Sequence, residues 1–95
     1  MSKKEIFAKK LTSVSYITDI EEDVIISKSR KEDVVDARCL LVYLLYEDGI
    51  YPYHIADMLR CSTRNINSII SSFNARLCSR KMLRINYERI KNYCG

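Results

Sequence analysis

An all-α fold is predicted by this sequence: a compact bundle of five to six helices containing a helix-turn-helix. Three observations carry that prediction. Apolar residues recur at three-and-four spacing along nearly the whole chain, as they do on helices with one buried face. Gly occurs twice and Pro once in 95 residues, too few for a fold built on many tight turns. Hydrophobic residues make up 47% of the chain and are rich in Ile, Leu, Val and Tyr, which suits a folded core rather than a disordered tail. The length fits a single domain over 1–95.

The elements follow in order. Ser2-Lys3-Lys4-Glu5 has the form of a capping box and opens a helix from about Lys3 to Tyr16, with Ile6, Leu11 and Val14 inward. Asp19-Ile20-Glu21-Glu22 offers a tighter cap for a helix of two turns at most, carrying Val24, Ile25 and Ile26. The stretch SKSR (27–30) interrupts it. Ser29-Arg30-Lys31-Glu32 is a further capping box, and it starts the longest helix, through Glu47. Val34, Val35, Cys39, Leu41, Val42, Leu45 and Tyr46 give that helix a wide apolar face, which marks it as the central scaffold. Gly49 follows where a left-handed cap is expected. Pro52 suits the first turn of the next helix, whose inner face is Ile55, Ala56 and Leu59. Ser62 caps another helix, with Ile66, Ile69, Ile70 and Phe73 inward. Ser79 caps a last, basic helix over about 80–93, with Leu83, Tyr87 and Ile90 inward.

Several function classes are excluded or disfavoured. No apolar run is long enough to span a bilayer, and MSKKEIFAKKL lacks the continuous apolar segment of a secretory signal, so a cytoplasmic protein is expected. Cys39, Cys61, Cys78 and Cys94 form no close pair, and His54 stands alone, so neither a metal site nor any other cofactor is expected. Reduced, mostly packed cysteines are the expectation. Cys39 and Cys61 fall on inward positions and His54 has no acidic partner at a diagnostic spacing, so no enzyme is indicated.

The stretch 52–77 carries the pattern of a helix-turn-helix. Its geometry demands apolar residues at the fourth, eighth, tenth, fifteenth and eighteenth positions, and a small residue at the fifth, where the two helices touch. Counted from Pro52 these are Ile55, Leu59, Cys61, Ile66 and Ile69, with Ala56 fifth. The ninth position, often Gly, is Arg60, which implies either a left-handed arginine or a turn of another shape. Plain helical hairpins share such apolar spacing, so the polar face has to decide. Ser62, Thr63, Arg64, Asn65, Asn67, Ser68, Ser71 and Ser72 surround the second helix with short hydrogen-bonding groups and no acid. Solvated helices usually carry Glu and Lys, which are better helix formers. Poor formers make sense where their donors and acceptors meet base edges and phosphates. Charge agrees: residues 62–95 carry seven basic side chains against Glu88 alone. A basic third of this kind is a footprint for a polyanion.

Upstream, ISKSRKEDVVDARCLLVYLL (26–45) resembles the start of the C-terminal DNA-binding domain (domain IV) of the bacterial replication initiator DnaA. That family shows a serine, a basic cluster and a V-x-x-x-R core running into an apolar helix. Here these are Ser27, Lys28, Arg30, Lys31, Val34, Arg38 and the run from Leu40 to Leu45. IADML (55–59) is similar to the family's first motif helix, and the order of earlier elements also matches, so the resemblance extends from about Ile6 to Phe73. It implies a Trp-repressor-like domain in which the long helix supports the helix-turn-helix and the second motif helix enters the major groove. It also implies that Arg38 reaches DNA at the adjacent minor groove, and that Lys28, Arg30 and Lys31 meet phosphates. The family's G-R-D-H-T-T signature is replaced by RCSTRNI (60–66), one residue shorter and without Asp or His, so the initiator's own binding box is not implied. There is no G-x-x-x-x-G-K-[ST] loop, so a stand-alone domain without the ATPase module is implied.

The expectation is therefore a sequence-preferring, double-stranded DNA-binding protein, a regulator of transcription or replication. Its candidate contacts are Lys28, Arg30, Lys31, Arg38, Ser62, Thr63, Arg64, Asn67, Ser68 and Arg76. Arg64 suits guanine and Asn67 adenine, while Arg76 joins the loop cations as a phosphate clamp. A second reading is a protein–protein interaction module on the same fold. Tyr43, Tyr46, Tyr51, Tyr53, Tyr87 and Tyr93 would be its aromatic anchors, with Tyr43 and Tyr87 better suited to the core. A homodimer or protein partner is left open, as is the role of the last helix.

Overall fold

A computed structural model describes the backbone from Ser2 to Cys94 and side chains as far as Asn92; the Tyr93 anchor and the Cys94 thiol lie outside the described residues. Six helices follow one another: α1 (Lys3–Thr18), α2 (Glu22–Ile25), α3 (Glu32–Glu47), α4 (Pro52–Leu59), α5 (Thr63–Ser79) and α6 (Lys81–Cys94). The described residues hold no strand.

The architecture is organised by α3. Val34, Ala37, Cys39, Leu40, Leu41, Val42, Leu44 and Leu45 are all buried, which is apolar surface on more sides than one neighbour can cover. All five other helices pack against it. One continuous core results. It takes Leu11 and Val14 from α1, Ile25 from α2, Ile55, Ala56 and Leu59 from α4, Ile66 and Phe73 from α5, and Leu83 and Ile90 from α6. Phe73 is fully buried, with Tyr43 stacked on it at 4.1 Å between ring centroids and Tyr87 edge-on at 5.5 Å. Tyr43 and Tyr87 therefore belong to the core edge.

Local signals explain most boundaries. Ser2 caps α1, its Oγ accepting from the Glu5 N–H at 3.2 Å. Ser62 does the same for α5, accepting from Asn65 N–H at 3.1 Å. Past α3, Gly49 takes φ +90°, and the Ile50 N–H donates back to Leu45 O at 3.2 Å while Gly49 N–H donates to Tyr46 O at 3.0 Å. This pair of reversed bonds is a Schellman close, and it buries Ile50 against the core.

Four expectations need correction. Asp19 does not cap α2; it ends α1 in the left-handed region at φ 58°, and Glu21 precedes α2 without a side-chain cap. Ser29 does not start α3, which begins three residues later, because its hydroxyl accepts from Lys31 N–H within the loop instead. Ser79 does not cap α6; its hydroxyl donates back to Ala75 O and Arg76 O, closing α5, and Arg80 makes the break in extended conformation. Tyr46, placed on the apolar face of α3, stays exposed; in the single turn of α2, Ile25 is buried while Val24 and the following Ile26 are exposed.

Candidate nucleic-acid interface

The turn between α4 and α5 sets the geometry. Arg60 sits in the left-handed region at φ 55° and ψ 48°, the position where glycine is expected. Cys61 N–H donates to Ala56 O at 3.0 Å and Arg60 N–H to Asp57 O at 3.3 Å, the same Schellman close that Gly49 makes. Arginine thus takes the left-handed conformation and keeps the turn tight. Ile55, Ala56, Leu59 and Ile66 are buried between the helices, with Cys61 and Ile69 half-buried, so all six pattern positions face inward to some degree.

What remains outside is the polar face of α5. Ser62, Thr63, Arg64, Asn65, Asn67, Ser68, Ser71, Ser72 and Asn74 are exposed, and no acidic residue occurs between Ser62 and Ser79. The side chains of Thr63, Arg64, Asn67 and Ser68 have no hydrogen-bond or ion-pair partner among the described residues. Ser72 and Ser79 donate to carbonyls of their own helix, and Ser71 does so at 3.2 Å. Small residues along the outer line leave the backbone of α5 approachable over several turns, with Arg64 the longest side chain at its first turn.

The start of the loop between α2 and α3, at Ser27 and Lys28, stands next to that first turn. Ser27, Lys28 and Arg38 line a cavity of about 70 Å³ together with Cys61, Asn65, Ile66 and Ile69. Lys28 Nζ donates to Arg60 O at 3.1 Å, bridging the basic loop to the turn. Arg30 and Lys31 are exposed and have no side-chain partner among the described residues. Arg38 differs from them. Its Nε donates to Ile25 O at 3.0 Å, and its Nη2 donates to Ser27 O at 2.6 Å and Ser29 O at 3.0 Å.

Arg76 is also turned to the protein. Its Nη1 meets Asp36 Oδ1 at 3.1 Å, while Arg80 Nε takes Asp36 Oδ2 at 2.8 Å and Arg80 Nη1 reaches Glu32 at 3.2 Å. Asp36 is thereby shared by two guanidiniums, and its hydrogen bond and charge push the Arg80 pKa further above its ordinary value. This cluster locks the α5–α6 junction onto the start of α3. It places acidic groups beside the C-terminal half of α5, whereas Arg64 at the N-terminal half is exposed without an acid beside it. Among the ten candidates, the geometry brings Lys28 beside Ser62, Thr63, Arg64, Asn67 and Ser68 at the first turns of α5, while Arg30 and Lys31 follow in the exposed loop that runs on to Glu32 and the Arg80 ion pair. Arg38 lies behind them and Arg76 lies apart.

Three further groups complete the surface. On α6, Lys81, Arg84 and Arg89 are exposed, and Lys91 pairs with Glu47 at 3.3 Å. At the start of α4, Tyr51 and Tyr53 are 65% and 57% exposed and lie nearly parallel, with His54 beside them and Lys3 Nζ 2.9 Å from its Nε2. Cys39 is buried, and desolvation raises its pKa above the usual thiol value; Cys61 is half-buried and packed against the core, and Cys78 is exposed, the one described cysteine that departs from the packed expectation. All three are free thiols, and no cluster of metal-ligating side chains occurs among the described residues. No helix among the described residues is long and apolar enough to cross a membrane. Comparison with protein-family models and with the sequences of curated proteins finds no match for this chain.

Proposed function

We propose that this chain is a double-stranded DNA-binding protein in which α4 and α5 act as a helix-turn-helix and α5 enters the major groove. One observation carries the reading: the acid-free outer face of α5, with Arg64 and Asn67 unpartnered, approached at the turn before it by the loop whose Lys28 bonds Arg60 O and whose Arg30 and Lys31 are exposed and unpartnered. Arg64 and Asn67 present the donor and acceptor geometry that discriminates guanine and adenine. Thr63 and Ser68 add short contacts, and the first-turn amides of α5 favour a phosphate beside Ser62. The order of elements around α3 accords with a Trp-repressor-like, DnaA C-terminal-like domain, and a role in regulating transcription or replication follows from that reading.

The test is a titration of the protein against short random-sequence duplexes at several salt concentrations. Three to four neutralised phosphates give log K falling with log salt at a slope of roughly −3 to −4. Absence of binding at low salt overturns the proposal. The exposed Tyr51–Tyr53 pair supports the second reading, a protein-docking module, because such aromatics are enriched at interfaces. That reading predicts no salt-dependent DNA binding.

A further inference from the structure

We infer that Arg38 is a positioning residue, which fixes the loop 27–31 against the α4–α5 turn and does not itself touch the polyanion. The identity of that polyanion rests on the DNA-binding reading above; the positioning role rests on the geometry of the loop.

Between α2 and α3 the chain belongs to no helix, so its carbonyls have no regular partners. Arg38 projects from α3 and collects two of them, those of Ser27 and Ser29, at 2.6 and 3.0 Å, together with the carbonyl of Ile25, the last residue of α2, at 3.0 Å. The residues alternate along the chain, and a planar guanidinium fork matches that spacing where an ammonium group would not. Inside this clamp the loop is tied further: Ser27 Oγ donates to Val24 O at 2.6 Å, Ser29 N–H donates to Ser27 Oγ at 3.2 Å, and Lys31 N–H to Ser29 Oγ at 3.3 Å. Lys28 then fastens the loop to the turn through Arg60 O at 3.1 Å.

The cations of the loop, with Arg38 and Arg64, therefore divide into two sets. Arg38, half-buried, and Lys28, exposed, are both occupied by carbonyls. Arg30, Lys31 and Arg64 point outward without partners. For Arg38 to grip a phosphate it would have to release three carbonyls and free the loop that carries Arg30 and Lys31. A loop ordered beforehand loses less freedom on binding, which is what the clamp contributes.

The experiment compares wild type, Arg38→Lys and Arg38→Ala, at a temperature where circular dichroism shows each folded. The first readout needs no DNA: ¹⁵N relaxation of the free protein. Arg38→Lys keeps the charge but loses the fork, so order parameters over 27–31 fall from about 0.85 toward 0.6 while α5 stays rigid. An unchanged loop overturns the proposal, whether or not the protein binds DNA. The second readout is the salt dependence of duplex binding. Loss of fixed Arg30 and Lys31 contacts makes the slope shallower by about 1.8 in both variants. A direct phosphate contact predicts instead no change for Arg38→Lys and about 0.9 for Arg38→Ala, and that pattern overturns the proposal. A role in overall stability alone predicts unchanged slopes in both folded variants, which also overturns it. If neither variant folds, the wild type still decides: the Arg38 Nε–H signal exchanges slowly and keeps its position on duplex addition, whereas rapid exchange in the free protein contradicts the clamp. Failure of wild-type binding removes the DNA reading and leaves the relaxation result to judge Arg38 by itself.

Discussion

Replacing Arg60 by glycine should stabilise the protein. Arg60 occupies the left-handed region at φ 55°, its side chain is exposed, and the bond from Lys28 goes to its main-chain carbonyl, which glycine retains. An L-residue in this conformation costs about 1–2 kcal/mol, because its Cβ crowds the following carbonyl oxygen. Glycine removes that cost but makes the unfolded chain freer, which returns about 0.5–1 kcal/mol. The net gain is about 0.5–1 kcal/mol, corresponding to a rise of roughly 2–8 °C in Tm for a domain of this size. Gly49→Ala is the mirror experiment. Gly49 has φ +90° and nothing within 4 Å of an added Cβ, so the loss of about 1 kcal/mol or more is purely a backbone effect. Urea denaturation followed by circular dichroism measures both through the midpoint at constant m. If Arg60→Gly lowers stability while Gly49→Ala also lowers it, the two closes are not equivalent, and the left-handed assignment at Arg60 is wrong.

Other consequences concern the core, the pH dependence and the reader. Phe73→Ala removes a fully buried ring from between Tyr43 and Tyr87 and should cost about 3–5 kcal/mol, a large share of a small domain's stability, read as a shift in the urea midpoint. Tyr87 donates to the Glu47 carboxylate at 3.0 Å; desolvation, with that bond and the carboxylate's charge, pushes its pKa up to about 12 from the ordinary 10. The folded state holds this proton more tightly than the unfolded one, so its contribution is fully present below pH 10 and is lost as pH rises through about 12. Tyr87→Phe should flatten the fall in urea midpoint over that range, and an equally steep fall in the variant counts against the assignment. Arg64→Ala should cost about 1–3 kcal/mol on a selected duplex and relax preference at one base pair, while Lys31→Ala weakens all duplexes alike. Equal losses for Arg64→Ala on every sequence would remove its base-reading role.

Periodicity made the hydrophobic frame legible because burial on one helix face leaves a repeating mark. The six positions counted from Pro52 face inward, and Gly49 closes α3 as its place in the chain required. Capping was legible only where a serine hydroxyl met the amide three residues on, as at Ser2 and Ser62. Ser29 shows why the same pattern misled elsewhere: an unwound loop offered its hydroxyl a nearer amide, and Arg38 had already fixed that loop. The bonds of Arg38 to three main-chain carbonyls leave no trace in residue types, which mark it only as a cation near a basic loop. The Asp36–Arg76 and Asp36–Arg80 pairs join residues 40 and 44 apart, a separation at which no local pattern operates. For Arg80 the available sign is an acid, Asp36, on the scaffold helix and a cation at the start of the basic segment.

The central claim is that DNA meets the protein at the loop 27–31 and the first turns of α5. Adding a random-sequence duplex at low salt to ¹⁵N-labelled protein, and following the amide signals, tests it most directly. Changes concentrated at Arg30, Lys31 and residues 60–72, fading as salt is raised, are the predicted result. Changes centred on Tyr46, Tyr51 and Tyr53, or none at any salt, would contradict it.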